Sequence, residues 1–133
     1  MNIGEVSRRS GLSDKTIRYY ESIDLVQPMR HDNGYRTFRE SDLEKLIFLG
    51  RSRSLGFSIE DCRTLLLLNE DEARSSKEVK QIAQKHLDQI EKKITNLLDM
   101  QRTLSELVES CAGDSRRECP ILDSLGQTND VTV

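Results

Sequence analysis

A chain of 133 residues with 35% hydrophobic and 32% charged content has room for one small domain plus an oligomerisation element, and too little apolar material for a single thick core. No run approaches the ~20 apolar residues that span a bilayer, and Met-Asn-Ile-Gly-Glu-Val at the N-terminus lacks a signal-peptide layout, so a cytoplasmic protein with no membrane partner is expected. The net charge of −3 divides unevenly, with ten Lys/Arg against eight Asp/Glu in residues 1–58 and ten against fifteen in residues 59–133, the asymmetry of a chain whose front alone meets phosphates.

In chain order, Ile3 to Arg9 reads as a short amphipathic helix with Ile3, Val6 and Leu12 inward. Ser10-Gly11-Leu12-Ser13 is a tight turn, with Gly11 free to take a positive φ. Ser13 suits an N-cap and Asp14 the first turn of a second helix, Asp14 to about Ser22. Two short helices around a Gly-containing turn form a helix-turn-helix candidate. On the second helix Lys15, Arg18 and Tyr19 stand at i, i+3, i+4, a stripe that can enter a major groove, where Arg and Lys read guanine edges. A solvated charged face would show the same stripe. Tyr20 and Arg18 are candidates for phosphates.

Leu25-Val26-Gln27-Pro28 leads extended out of that helix. Arg30 to Phe38 then contains Asn33-Gly34, the dipeptide that favours a type I′ hairpin with positive φ at both central residues. Flanked by Arg30, Tyr35, Arg36 and Arg39, it reads as a small β wing suited to backbone phosphates. Ser41 is expected to cap a helix to about Arg53, ended by Gly56. Ser58-Ile59-Glu60-Asp61 fits a capping box and opens a helix through Leu68, whose block Leu65 to Leu68 should pack on the wing and the preceding helix. Cys62 reads as a small buried residue. Residues 69–75 are a polar linker.

From Ser76 to Glu109 no Gly or Pro intervenes. Ser76, Ala83, Ile90, Leu97 and Leu104 recur every seven residues, and so do Lys80, Leu87, Ile94, Gln101 and Val108. From Ala83 onward only Gln101 breaks this apolar seam. Such a helix runs roughly 50 Å, too long to bury its seam in a small domain, and its natural partner is a second copy in a coiled coil. It stops near Ser110. Cys111 to Leu122 follows, with Gly113 allowing a tight loop and Pro120 opening a short helix to about Leu125.

Cys111 and Cys119 can meet across that loop. Three chemistries compete: a disulfide, which needs close Cβ atoms and an oxidising compartment; a zinc-type site, which wants four ligands where neither His31 nor His86 is placed to help; and a two-coordinate soft monovalent ion held by two thiolates. The last leaves one negative charge that hydrogen bonds or a helix N-terminus must offset. No nucleophile–base pair, phosphate loop or carboxylate dyad is visible, and an enzyme is not expected.

The order of parts resembles the MerR family of transcription activators. The residues that carry the likeness are Ile3-Gly4-Glu5-Val6, Gly11-Leu12-Ser13, Thr16-Ile17-Arg18-Tyr19-Tyr20-Glu21, Asn33-Gly34-Tyr35-Arg36 and Leu55-Gly56-Phe57-Ser58, and it covers essentially the whole chain. The resemblance implies a mainly α protein: a winged helix-turn-helix DNA-binding domain (1–68), the linker (69–75), a long antiparallel coiled-coil dimerisation helix (76–110), and a C-terminal metal-binding loop with a short terminal helix (111–125). It implies a homodimer on palindromic promoter DNA that bends and untwists an overlong spacer for RNA polymerase, a deformation-based mode of recognition. Lys15, Arg18 and Tyr19 match the groove-reading helix, and Tyr20, Tyr35 and Arg36 the phosphate contacts.

Within the family, Cys111-x7-Cys119-Pro-Ile resembles the loop of the copper-efflux regulators of the CueR type. There a Ser begins the dimer helix, where divalent-metal relatives carry a third Cys, and Ser76 matches that Ser. The implication is a Cu(I)-responsive activator of copper export or detoxification genes, with Ag(I) and Au(I) as chemically similar inducers. A cytoplasmic copper buffer and a thiol-redox sensor on the same scaffold are the alternatives. The chain departs from some copper regulators in ending without a Cys/His-rich tail, and residues 126–133 are expected to be disordered.

Overall fold

The computed structural model describes residues 1–126, in the order α1 (Ile3–Ser10), α2 (Asp14–Ser22), β1 (Met29–Arg30), β2 (Arg36–Thr37), α3 (Glu40–Ser54), α4 (Ile59–Glu70), α5 (Ser76–Ser110) and α6 (Pro120–Leu125). The expectation of a disordered tail falls, beyond Gly126, outside the described residues. The chain divides into two units, Met1–Ala83 and Gln84–Val133, with α5 running from one into the other.

The helices of the first unit start where their caps place them. Asn2 Oδ1 accepts from the Glu5 amide at 2.9 Å, Ser13 Oγ from Thr16 at 3.1 Å and Ser58 Oγ from Asp61 at 3.1 Å. Each satisfies an amide that a helix N-terminus leaves without an intrahelical partner. Gly11 closes α1 at φ 76°, a left-handed conformation that permits the immediate turn into α2. The start of α3 differs from expectation. Its N-cap is Arg39 rather than Ser41, and buried Asp42 reaches back with Oδ2 to accept from the Arg39 amide at 2.8 Å and from its Nε at 3.2 Å. Arg39 Nη2 also donates to the Gln27 carbonyl at 2.9 Å, so this one residue ties the exit of α2 to the start of α3.

The core collects Val6 from α1, Ile17 and Tyr20 from α2, Val26 from the connector, Phe38 from beyond the wing, Leu46 and Leu49 from α3, and Cys62 and Leu66 from α4. Cys62 is buried, as expected of a small apolar residue, and burial pushes its thiol up against the pull of Arg53. Helix α4 extends two residues past Leu68, to Glu70. Its Leu65–Leu68 block is only half committed to the core: Leu65 and Leu66 are buried and Leu67 is exposed.

The wing is antiparallel, pairing Met29 with Thr37 and Arg30 with Arg36. Its turn is not the type I′ turn that Asn33-Gly34 suggests, because Gly34 has φ 83° while Asn33 is not at positive φ. The His31 amide donates to Tyr35 O at 2.8 Å and the Gly34 amide to His31 O at 2.9 Å. This is a three-residue loop, Asp32-Asn33-Gly34, with glycine alone in the left-handed region. Asn33 uses its side chain instead, accepting from the Tyr35 amide at 3.0 Å.

Helix α5 spans 35 residues, Ser76–Ser110, and buries none of them. Leu87, Ile94, Leu97, Leu104 and Val108 of the seam are 46–62% exposed. Past it, Gly113 turns the chain at φ 65°, Cys111 and Cys119 flank the loop, and Pro120 opens α6 at its first position.

Candidate nucleic-acid interface and thiol pair

Helix α2 presents two different faces. Ile17 and Tyr20 turn inward and are buried, while Lys15, Arg18 and Tyr19 are exposed on the other side, Tyr19 to 50%. Among the described residues Lys15 and Arg18 have no ion-pair partner. Tyr35, at the wing tip, is 65% exposed. A cleft of about 370 Å³ joins the two elements, lined by Asn2, Ile3, Gly4, Arg18, Gly34, Tyr35 and Arg36. The fold thus brings Arg18 of the helix to the same surface as Tyr35 and Arg36 of the wing, residues seventeen and eighteen positions away in sequence. Two guanidinium groups and a phenol on one open concave surface are the complement of a phosphate backbone.

Tyr20 departs from expectation. It is 4% exposed and packs in the core, its ring centroid 6.0 Å from that of Tyr19. Burial pushes its hydroxyl up, against the opposing pull of the Arg53 charge. This surface does not support the phosphate contact assigned to Tyr20, and packing is its visible role. The signal was in the spacing: Tyr20 lies i+3 from Ile17, on the apolar face of the helix.

Glu21, for which local pattern suggests no role, is central to the wing. Its Oε2 accepts from Arg30 Nη2 at 3.0 Å and Nε at 3.3 Å, and its Oε1 accepts from Arg36 Nε at 2.5 Å. Arg30 and Arg36 are cross-strand partners, and like charges set directly opposite destabilise a strand pair. A single carboxylate from α2 compensates both.

In the second unit the Sγ atoms of Cys111 and Cys119 lie 3.9 Å apart, and both thiols are free and half-buried. That is too long for a disulfide bond of about 2.0 Å and within twice a metal–thiolate bond of about 2.3 Å, so one ion can touch both sulfurs. Among the described residues no group of three or more His, Cys, Asp or Glu gathers into a metal site. The donor set of one chain is therefore two soft sulfurs, which fits a thiophilic low-coordinate ion and falls short of a four-ligand zinc site. Cys119 sits just before α6, where the Leu122 backbone N–H is the chief influence holding its thiol below the usual range, helped by Cys111 and the Ile121 N–H against burial and Asp123. Backbone donors at this turn are thus placed to offset thiolate charge. Ser76 is the exposed first residue of α5 and belongs to the first unit, whereas the thiol pair belongs to the second.

Comparison with known proteins gives these features a context. The model described as MerR HTH family regulatory protein matches residues 1–68, and that described as MerR, DNA binding matches residues 43–107. The transcriptional regulator HmrR of Rhizobium leguminosarum bv. viciae is 55% identical over 94% of this chain and 97% of its own length. The regulator CueR of Salmonella typhimurium strain LT2 is 41% identical over 94% of this chain and 91% of its own. Among solved structures, the regulator PbrR691 of Ralstonia metallidurans CH34 in complex with lead(II) superposes with a TM-score of 0.83 at 32% identity, covering 94% of this chain and 98% of that one.

Proposed function

The chain belongs to the MerR family of helix-turn-helix regulators and is a DNA-binding, metal-responsive, non-enzymatic member of it, and we propose that it is a Cu(I)-responsive activator of copper export or detoxification genes. The observation that carries the metal assignment is the pair of free thiols 3.9 Å apart with no third side-chain ligand gathered among the described residues. Two thiolates suit a soft monovalent ion, with Ag(I) and Au(I) able to stand in for Cu(I). Divalent ions of the borderline class want more ligands than one chain supplies here.

On this reading Cys111 and Cys119 hold the ion, and the backbone donors beside Cys119 offset the surplus negative charge. The exposed seam of α5 closes against a second copy in an antiparallel homodimer, which would set Ser76 of one protomer near the thiol pair of the other and supply there a hydroxyl where a third thiolate would recruit a divalent ion. Lys15, Arg18 and Tyr19 enter the groove of a palindromic promoter, and Tyr35 and Arg36 hold phosphates. Metal binding changes the distortion of the promoter presented to RNA polymerase, so induction needs no contact between metal and DNA.

Anaerobic titration of the reduced protein with Cu(I), with sulfur neighbours counted by X-ray absorption, tests the reading directly. Two sulfurs per ion are expected, together with loss of copper induction from the promoter in Cys111→Ser and in Cys119→Ser. Full copper induction in either variant would overturn the assignment. A thiol-redox sensor has the same sulfur distance in its favour, and activation by peroxide under strict copper chelation would identify it.

A further inference from the structure

The wing of this protein carries a charge arrangement that should not hold together unaided. Arg30 and Arg36 are paired across the two strands, and two guanidinium groups in that position repel. The strands are two residues each, too short to hold a register through backbone pairing alone. What fixes them is Glu21 of α2, whose side chain is 15% exposed and gives one oxygen to each arginine. Arg36 spends only its Nε on this bond, leaving both terminal nitrogens for another acceptor, and it lines the cleft beside Arg18 and Tyr35. A guanidinium presents a rigid planar fork of donors. Fixing Nε therefore fixes where the terminal nitrogens point.

We infer that Glu21 is a positioning residue for DNA recognition: it locks Arg36 and the wing in register with the groove-reading helix, and so sets specificity at the expense of raw electrostatic attraction. The inference rests on the assignment of Arg36 to a phosphate contact. A negative charge near the DNA surface opposes binding of any duplex, since affinity for non-specific DNA follows the balance of cationic contacts. Its contribution comes through geometry, which only a correctly docked site rewards. Neutralising Glu21 should accordingly move specific and non-specific binding in different directions, which loss of stability alone would not do.

The test uses the full chain as wild type, Glu21→Gln, Arg36→Gln and the double variant. The probes are a duplex enriched by the wild type from a randomised library and a scrambled duplex of the same length, read by fluorescence anisotropy with active fractions set by stoichiometric titration. Glu21→Gln is expected to weaken binding to the enriched duplex about tenfold, the scale of one charge-assisted hydrogen bond, while binding to the scrambled duplex holds or tightens. In the Arg36→Gln background the same change should alter specific affinity by less than about twofold, the limit within which independent effects are read as additive. The inference is overturned if both duplexes weaken together, if the enriched duplex is bound as tightly as by wild type, or if the loss is the same in both backgrounds. Should the wild type enrich no sequence, sequence-specific recognition itself fails, an outcome distinct from enrichment by a wild type that Glu21→Gln then matches.

Discussion

Replacing Ile94 by Asp at the middle of α5 puts the proposed dimer to a quantitative test. Five seam residues, Leu87, Ile94, Leu97, Leu104 and Val108, are 46–62% exposed in a single chain. Fully burying such a side chain contributes about 1.5–3 kcal/mol, so covering the exposed half contributes about 1 kcal/mol. Two copies closing five positions each gain roughly 10 kcal/mol before the costs of association. Ile94→Asp alters both copies of a symmetric pair. It removes about 2 kcal/mol of burial and brings two carboxylates toward an apolar interface, where each resists dehydration. A combined loss of roughly 3–5 kcal/mol corresponds to a dimer dissociation constant raised by about two to four orders of magnitude. Sedimentation equilibrium over a range of protein concentrations reads this directly, and far-UV circular dichroism shows whether the helix survives. An Ile94→Asp protein that dimerises as tightly as the wild type would show that the seam is not the interface, and a monomeric wild type would refute the dimer outright.

Three further outcomes follow from the same geometry. Ser76→Cys should broaden induction from monovalent to divalent ions in a promoter assay, and unchanged metal selectivity would separate Ser76 from the metal site. Alkylation of the native reduced protein by limiting iodoacetamide should mark Cys119 first and Cys62 last. The Cys119 thiol is held down, so more of it is thiolate at neutral pH, whereas Cys62 is buried and pushed up; peptide mass spectrometry gives the order, and early labelling of Cys62 would contradict its burial. Ser13→Ala removes the cap that accepts from Thr16 at 3.1 Å and should cost about 1 kcal/mol in denaturant unfolding, with Ser13→Asp restoring most of it; an unchanged unfolding midpoint would mean that the cap contributes nothing to α2.

Much of this molecule is legible in its residues because the informative signals are local. The limits of α5 follow from an uninterrupted heptad repeat, α6 begins at Pro120, and α2 and α4 begin at serine caps. What escapes is decided by which of several available partners a residue takes, near or distant in sequence. Ser41 has the better capping propensity, yet buried Asp42 accepts from the Arg39 amide and starts α3 earlier. Asn33-Gly34 locates the wing turn correctly, but pairing of His31 with Tyr35 sets its length and leaves Asn33 out of the left-handed region. Tyr20 has the chemistry of a phosphate ligand, yet its i+3 relation to Ile17 sets it in the core. Glu21 could not have been read at all from local pattern, since its two arginines lie nine and fifteen residues away.

The bare apolar stripe of α5 also bears on how long a lone subunit can last. A helix with no buried residue draws little stability from its own chain, because most helical stability in proteins comes from packing one face. If a second copy closes the stripe, its persistence scales with protomer concentration. Below the association threshold the rod frays, exposing tryptic positions such as Lys85, Lys92, Lys93 and Arg102. Unpaired subunits would then be the ones degraded, and turnover would limit the surplus of protomers over pairs without any dedicated degradation signal.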